Sequence, residues 1–220
     1  KDSSSNVFWY DLTTALTTVS YNFTTFWDTT ELVRLMLFVN GTSNIFEWNG
    51  AYDTVVSTTV NSITVSNPIA TTGFYSTRNK TITIRGVDYV YSGSTFTGLV
   101  VDPTTGSDTV YAGDIAFQKV VTTANSAFTA GPPATFANGL ISTLNNQVFI
   151  GSLTSAALYG SAINSFTNYA FTAGTRLPGE GFSAILDDNL VAFVPQEDNM
   201  YISAGKNFWY NTDFKQNVSY

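Results

Sequence analysis

The chain has no cysteine and no histidine, and only 9 Lys and Arg against 16 Asp and Glu in 220 residues. Each shortage excludes something. Without Cys there is no disulfide framework, no thiolate nucleophile and no Cys-held zinc or iron–sulfur centre. Without His there is no Ser-His-Asp triad, no imidazole base and no facial-triad iron. Nine basic residues argue against wrapping a nucleic-acid backbone, which needs a Lys/Arg-rich face. Charged residues total 11%, against roughly 25% in an average domain. No run of 18 apolar residues occurs, so no transmembrane helix is expected. The opening Lys1-Asp2-Ser3-Ser4-Ser5 lacks the apolar segment of a signal peptide. Zero cysteines fit a cytosolic, secreted or virion setting equally.

What the chain does have is uncharged. There are 33 Thr, 19 Asn, 17 Phe and 12 Tyr. Thr, Val, Ile and the aromatics suit a pleated, half-buried surface, and Asn and Gly supply turns. Helix-filling residues are sparse. The fold class expected is all-β, with under about a tenth of residues helical, against roughly a third in an average domain.

Periodicity agrees. Leu35–Val39 is a short apolar run closed by Asn40-Gly41, and Ile45–Trp48 follows before Asn49-Gly50. Thr81–Arg85 and Val87–Tyr91 alternate with period 2, and Gln147–Ile150, Ala184–Leu186, Leu190–Val194 and Met200–Ile202 continue the series. Asn-Gly, Ser-Gly, Asp-Pro and Pro-Gly pairs punctuate them. The one stretch open to a helical reading is Ser155–Tyr159.

A degenerate unit recurs as Ser5-Asn6-Val7-Phe8-Trp9-Tyr10, Ser43-Asn44-Ile45-Phe46-Glu47-Trp48, Asn146-Gln147-Val148-Phe149-Ile150 and Asp198-Asn199-Met200-Tyr201-Ile202, with a weaker copy in Gly86–Tyr91. Its anchors Val7, Ile45, Val148 and Met200 stand 38, 103 and 52 residues apart. A period of that order with several short strands per unit is propeller-blade spacing. Turns crowd 80–121, which reads as an inserted β subdomain, and Ala130-Gly131-Pro132-Pro133 as a rigid return. The expected organisation is blades in 1–79, an insert in 80–121 and blades in 122–220. Such units must stack to hide their faces. A stack too short to close leaves an apolar face, so Phe8-Trp9-Tyr10 and Phe208-Trp209-Tyr210 are expected to be covered by each other or by another chain.

Three kinds of chemistry compete with plain structure. Glycoside hydrolysis needs two facing carboxylates. Glu47, Asp53, Glu180, Asp187, Asp188, Glu197 and Asp198 are candidates, but none sits in a sharp motif, and solvated turns explain them. Calcium could take oxygen ligands from Asp187, Asp188 and Asn189, or from Asp102 and Asp108, though neither group has EF-hand spacing. A ligand-binding surface could use Trp9, Tyr10, Trp27, Trp48, Trp209 and Tyr210, whose rings have flat apolar faces and polar edges. Blade core is the plainer account of them. No cofactor is called for. Asn22, Asn40, Asn79 and Asn217 begin sequons of the kind chance supplies in so Asn- and Thr-rich a chain.

Leu35–Ala51, read as LMLFVNGTSNIFEWNGA, resembles the blade hairpins of tailed-phage virion proteins of the nozzle or tail tubular type. The segment 80–121 resembles small β modules of phage structural proteins, through Tyr89, Tyr91, Gly93, Thr97-Gly98, Asp102-Pro103 and Gly113-Asp114. The likeness covers about half the chain. It implies a non-enzymatic virion structural or adhesion protein, phage-tail or capsid-associated. Its partners would be other copies, neighbouring virion proteins and a host surface glycan, with no membrane span and no sequence-specific nucleic acid. The alternatives are a secreted glycan-binding or glycan-hydrolysing propeller, and a polymerising cell-surface or sheath protein.

Overall fold

The computed structural model describes residues 21–40, 45–59, 62–92, 100–101, 110–123, 139–172 and 179–211. They divide between two compact units. The inner one is Trp48–Val121; the outer one combines the described parts of Thr18–Glu47 and Thr122–Tyr220.

The outer unit opens with β1 (Asn22–Asp28) and β2 (Val33–Val39), antiparallel in register from Asn22 opposite Val39 to Asp28 opposite Val33. Asp28 makes the turn between them, its Oδ1 accepting from the Thr30 and Glu31 amides at 2.8 and 3.2 Å. An aspartate that bonds its own backbone two residues on is a turn former. β3 (Phe46–Trp48) lies beside β2, and Phe38 stacks on Phe46 at 5.1 Å between centroids.

The chain then enters the inner unit. This holds β4 (Tyr52–Thr59), β5 (Ser62–Val65), a four-residue helical turn α1 (Ile69–Thr72), β6 (Thr81–Ile84), β7 (Val87–Ser92), β8 (Val100–Val101) and β9 (Ile115–Gln118). Pro68 precedes the turn and Gly73, at φ +79°, ends it. The six strands run β5-β4-β9-β6-β7-β8, and the sheet curls into a half-barrel that brings β5 and β8 together. Val55, Ile63, Ile82, Ile84, Tyr89 and Ala116 fill it. Fully burying an aliphatic or aromatic side chain contributes about 1.5–3 kcal/mol.

Gln118, wholly buried, ties the segment between α1 and β6 to this core. Its Oε1 accepts from the Tyr75 amide at 2.9 Å and the Tyr91 hydroxyl at 3.2 Å. Its Nε2 donates to the Asn79 and Thr81 carbonyls, both at 2.8 Å. A buried amide costs little only when satisfied in this way.

β10 (Val121–Thr122) returns the chain to the outer unit as the fourth strand of β1-β2-β3-β10. A second sheet is the meander β11 (Gly139–Leu144), β12 (Gln147–Ser152), β13 (Ala157–Gly160) and β14 (Phe182–Ile185). A third is β15 (Leu190–Gln196), β16 (Asn199–Ala204) and β17 (Asn207–Asn211), with a bulge at Val191.

These three sheets pack in series. β1 and β2 lie on β11, and β15 lies on β11 and β12. β12 of the middle sheet is covered on both faces, every residue of it buried, while Ser183 and Ile185 of β14 are exposed. Phe149, Leu158 and Phe182 of this sheet share a core with Leu190, Met200 and Ile202 of the third sheet. Close approach is needed there: a Cβ on Gly151 would lie 2.1 Å from Leu190 Cδ1 and 3.0 Å from Phe193 Cζ. On the other side Phe26 of β1 meets Phe166 edge-on at 5.5 Å.

The all-β reading holds, with several antiparallel sheets. Three expectations change. Ser155–Tyr159 is not helical; Ala157–Gly160 is a strand, because its alternate residues bury against the core. The inner unit begins at Trp48 rather than at 80, because β4 hydrogen-bonds to β9 across the sheet. The recurring unit is also less regular than its spelling. Val148 and Met200 both sit on the second strand of their sheets, while Ile45 precedes the third strand of its own. Val7 lies outside the described residues.

Candidate functional site

Of the carboxylates offered by the sequence, Asp187, Asp188, Glu180, Glu197 and Asp198 sit at turns or loops and Glu47 and Asp53 on strands. Asp53, buried on β4, accepts from the Thr54 amide at 2.7 Å, the Ser66 hydroxyl at 2.7 Å and the Asn67 amide at 2.8 Å. Glu180 accepts from the Thr172 amide and hydroxyl, each at 2.8 Å. Glu197 and Asp198 form the exposed β15–β16 turn, with Glu197 at φ +53°. Glu47 is buried on β3. Asp187, Asp188 and Asn189 lie exposed between β14 and β15: Asn207 Nδ2 donates to Asp187 Oδ2 at 2.6 Å, and the Asn189 amide to Asp188 Oδ1 at 2.7 Å. These are the bonds of a turn, and no cluster of three or more His, Cys, Asp or Glu able to hold a metal ion occurs among the described residues. Asp102 and Asp108 lie outside them. Among the described residues no helix is long and apolar enough to cross a membrane.

The aromatic candidates are dispersed. Trp27 is on β1, 44% exposed. Trp48 ends β3, its indole donating to the Gln118 carbonyl at 3.0 Å. Trp209 packs against the core shared by the second and third sheets. Tyr210 stands opposite Tyr201 in register. Trp9 and Tyr10 lie outside the described residues. Of the described candidates, Trp27, Trp48 and Trp209 belong to three different strands.

No protein-family model, curated protein or solved structure matches the chain. Its surfaces therefore have to be read from their own chemistry.

Two kinds of surface stand out; the first was not marked in the sequence, and of the second only Trp27 and Phe208 were. On the inner unit, the register of β4, β9, β6 and β7 aligns Tyr52, Phe117, Thr83 and Asp88 in one row across the sheet. Tyr52 is 65% exposed, with its ring 6.3 Å from that of Phe117. Thr83 Oγ1 donates to Asp88 Oδ1 at 2.8 Å, and Lys119 Nζ pairs with Asp88 Oδ2. The row thus runs from apolar rings, past the buried Thr83, to an ion pair. Period-2 alternation hid it, because its members come from four separate strands.

On the outer unit, the first and third sheets each have a face turned away from the middle sheet. The first shows Phe23, Thr25, Trp27, Met36 and Arg34. The third shows Val194, Tyr201, Ser203 and Phe208, with Val191 exposed at the bulge.

Proposed function

We propose that the chain is a non-enzymatic structural protein of a virion, tail- or capsid-associated, that acts by binding neighbouring subunits. In this reading its outer unit is a propeller-like stack of blades, with the inner unit inserted between the third and fourth strands of the first blade. The observation that carries the reading is the serial packing of three antiparallel sheets, with β12 of the middle sheet buried on both faces. Sheets that hide their faces only against neighbours are the elements of a stacked assembly. The low charge and the engagement of Asp53, Glu180 and Asp187 in turns support scaffold over catalysis. Electron microscopy with an antibody to the chain tests it. Label at a fixed position on particles is the expected result. A purified chain that hydrolyses glycans, with no label on any particle, would sink it.

A glycan partner is favoured by one observation, the row from Tyr52 to Asp88. Aromatic faces stack on the apolar faces of sugars, and an adjoining ion pair suits their hydroxyl groups. Tyr52→Ala should abolish binding on a carbohydrate array while leaving the far-UV spectrum unchanged. Equal binding by the variant would remove this reading.

A further inference from the structure

We infer that the two outward faces of the three-sheet stack dock onto each other between two copies of this chain, closing a ring of six sheets; this rests on the stacked-blade reading of the outer unit.

The packing inside the chain supplies the rule for adding a sheet. Asn22 Nδ2 at the start of β1 donates to the Gly139 carbonyl at the start of β11, at 2.6 Å. At the other end the Trp27 amide donates to Asn146 Oδ1 at 2.8 Å, and Asn146 Nδ2 to the Trp27 carbonyl at 2.9 Å. The first strands of successive sheets therefore lie side by side, running the same way. The turn after the later sheet's first strand lies against the end of the earlier sheet's first strand. β15 continues the series on the far side of β11 and β12, where Gly151 admits Leu190.

Two faces of the series are left over. That of the first sheet carries Phe23 at 71% exposure and Trp27 at 44%, with Arg34 exposed beside Trp27 in register. That of the third carries Phe208 at 78%, Val194 at 52% and Val191 at 50%. Large side chains in that state on adjoining strands form a patch, and such patches mark interfaces.

Taking the rule one step on places β1 of a second copy beside β15. Phe23 then falls at the end of β15 that holds Val191, with Phe208 in the same row through Ser203. Arg34 falls at the opposite end, where the β15–β16 turn presents Glu197 and Asp198. Apolar groups meet apolar groups, and a guanidinium meets two carboxylates. The charge match is what selects a second copy as the occupant.

The number of copies follows from counting. One chain supplies three sheets to the series. Closed propellers have about 4–8 blades. One copy is too few and three would be too many, so two copies close the ring. The contact is head-to-tail and is made twice, so no apolar face is left for a filament to grow from. Each contact should bury more than about 1,000 Å² in total.

Sedimentation of the purified chain at micromolar concentration is the test. The expected mass is twice 23.9 kDa. Phe23→Asp and Phe208→Glu should each weaken association about tenfold or more, with an unaltered far-UV spectrum, because both side chains are exposed. Arg34→Glu should also weaken it, and adding Glu197→Lys should restore it, a rescue that a general loss of stability would not give. A wild-type chain of single mass, a polymer growing with concentration, or a dimer indifferent to all of these changes would each overturn the inference. A monomeric chain that still labels virions would overturn the docking and leave the structural reading standing. A two-copy ring that hydrolyses glycans would do the reverse.

Discussion

Single positions in this fold are decided by what touches them. Tyr169 is buried, and burial pushes its hydroxyl well above the ordinary value near 10. Below that value folded and unfolded chains both hold the proton, and the full stability is present. As pH rises past it, the unfolded chain releases the proton while the folded one keeps it, so stability falls by about 1.4 kcal/mol per pH unit. Tyr169→Phe should flatten that part of the alkaline decline, read as urea midpoints at about pH 8 and about pH 11. An unchanged difference would show that Tyr169 ionises no later than an exposed tyrosine. Gly151 is decided by Leu190 in the same way. A Cβ there would overlap Leu190 Cδ1 at 2.1 Å, and overpacking costs about 1–3 kcal/mol. Gly151→Val should lower the melting temperature, read by thermal unfolding followed in the far-UV spectrum.

At the scale of elements, turns do more than reverse the chain. The β11–β12 turn places Asn145 and Asn146 at φ +49° and +56°, a region Asn tolerates better than most residues. Asn146 then joins the first sheet to the second through Trp27, and also donates to Asn164 Oδ1 at 2.8 Å. Asn146→Ala removes those bonds and leaves Ala in a left-handed conformation, at a cost of about 1–2 kcal/mol. Asn146→Gly should keep the backbone geometry and lose less. If the two variants unfold at the same denaturant concentration, strain has no part in the effect. Strands with clean alternation or an apolar run were legible in sequence, β2, β6, β7, β12, β15 and β16 among them. β1, β4 and β11 were not. Their Thr, Ser and Asn residues carry no strong period, and they become strands through their partners, as β1 does along the full length of β2.

For the whole molecule the main consequence is the insertion. β3 leads into Trp48–Val121 and β10 leads out, and the two are neighbours in one sheet, about 4.8 Å apart. Replacing 49–120 by a short Gly-Ser linker should therefore leave the outer unit foldable. A strand-type far-UV spectrum and one cooperative unfolding transition are expected. An unfolded product would show that the outer unit depends on the inner one. The same excision separates the two candidate surfaces, since the Tyr52 row leaves with the insert and the outward faces of the outer unit stay.

The sequence by itself determined the fold class, because Thr, aromatic and β-branched residues with Asn and Gly turns fit little else. It also excluded thiol and imidazole chemistry, simply by lacking the residues. It showed Leu35 to Val39 as a strand, an apolar run closed by Asn40-Gly41. Only the tertiary structure decided where the insert begins, because the pairing of Thr54 with Ile115 leaves no trace in the residues near either. It also decided which aromatics are core and which are surface. Trp209 and Phe208 are adjacent in sequence, yet register with Ile202 and Ser203 turns one to the core and the other outward. Composition is a sum over residues and survives any ordering of them. A face exists only once separate strands are set side by side.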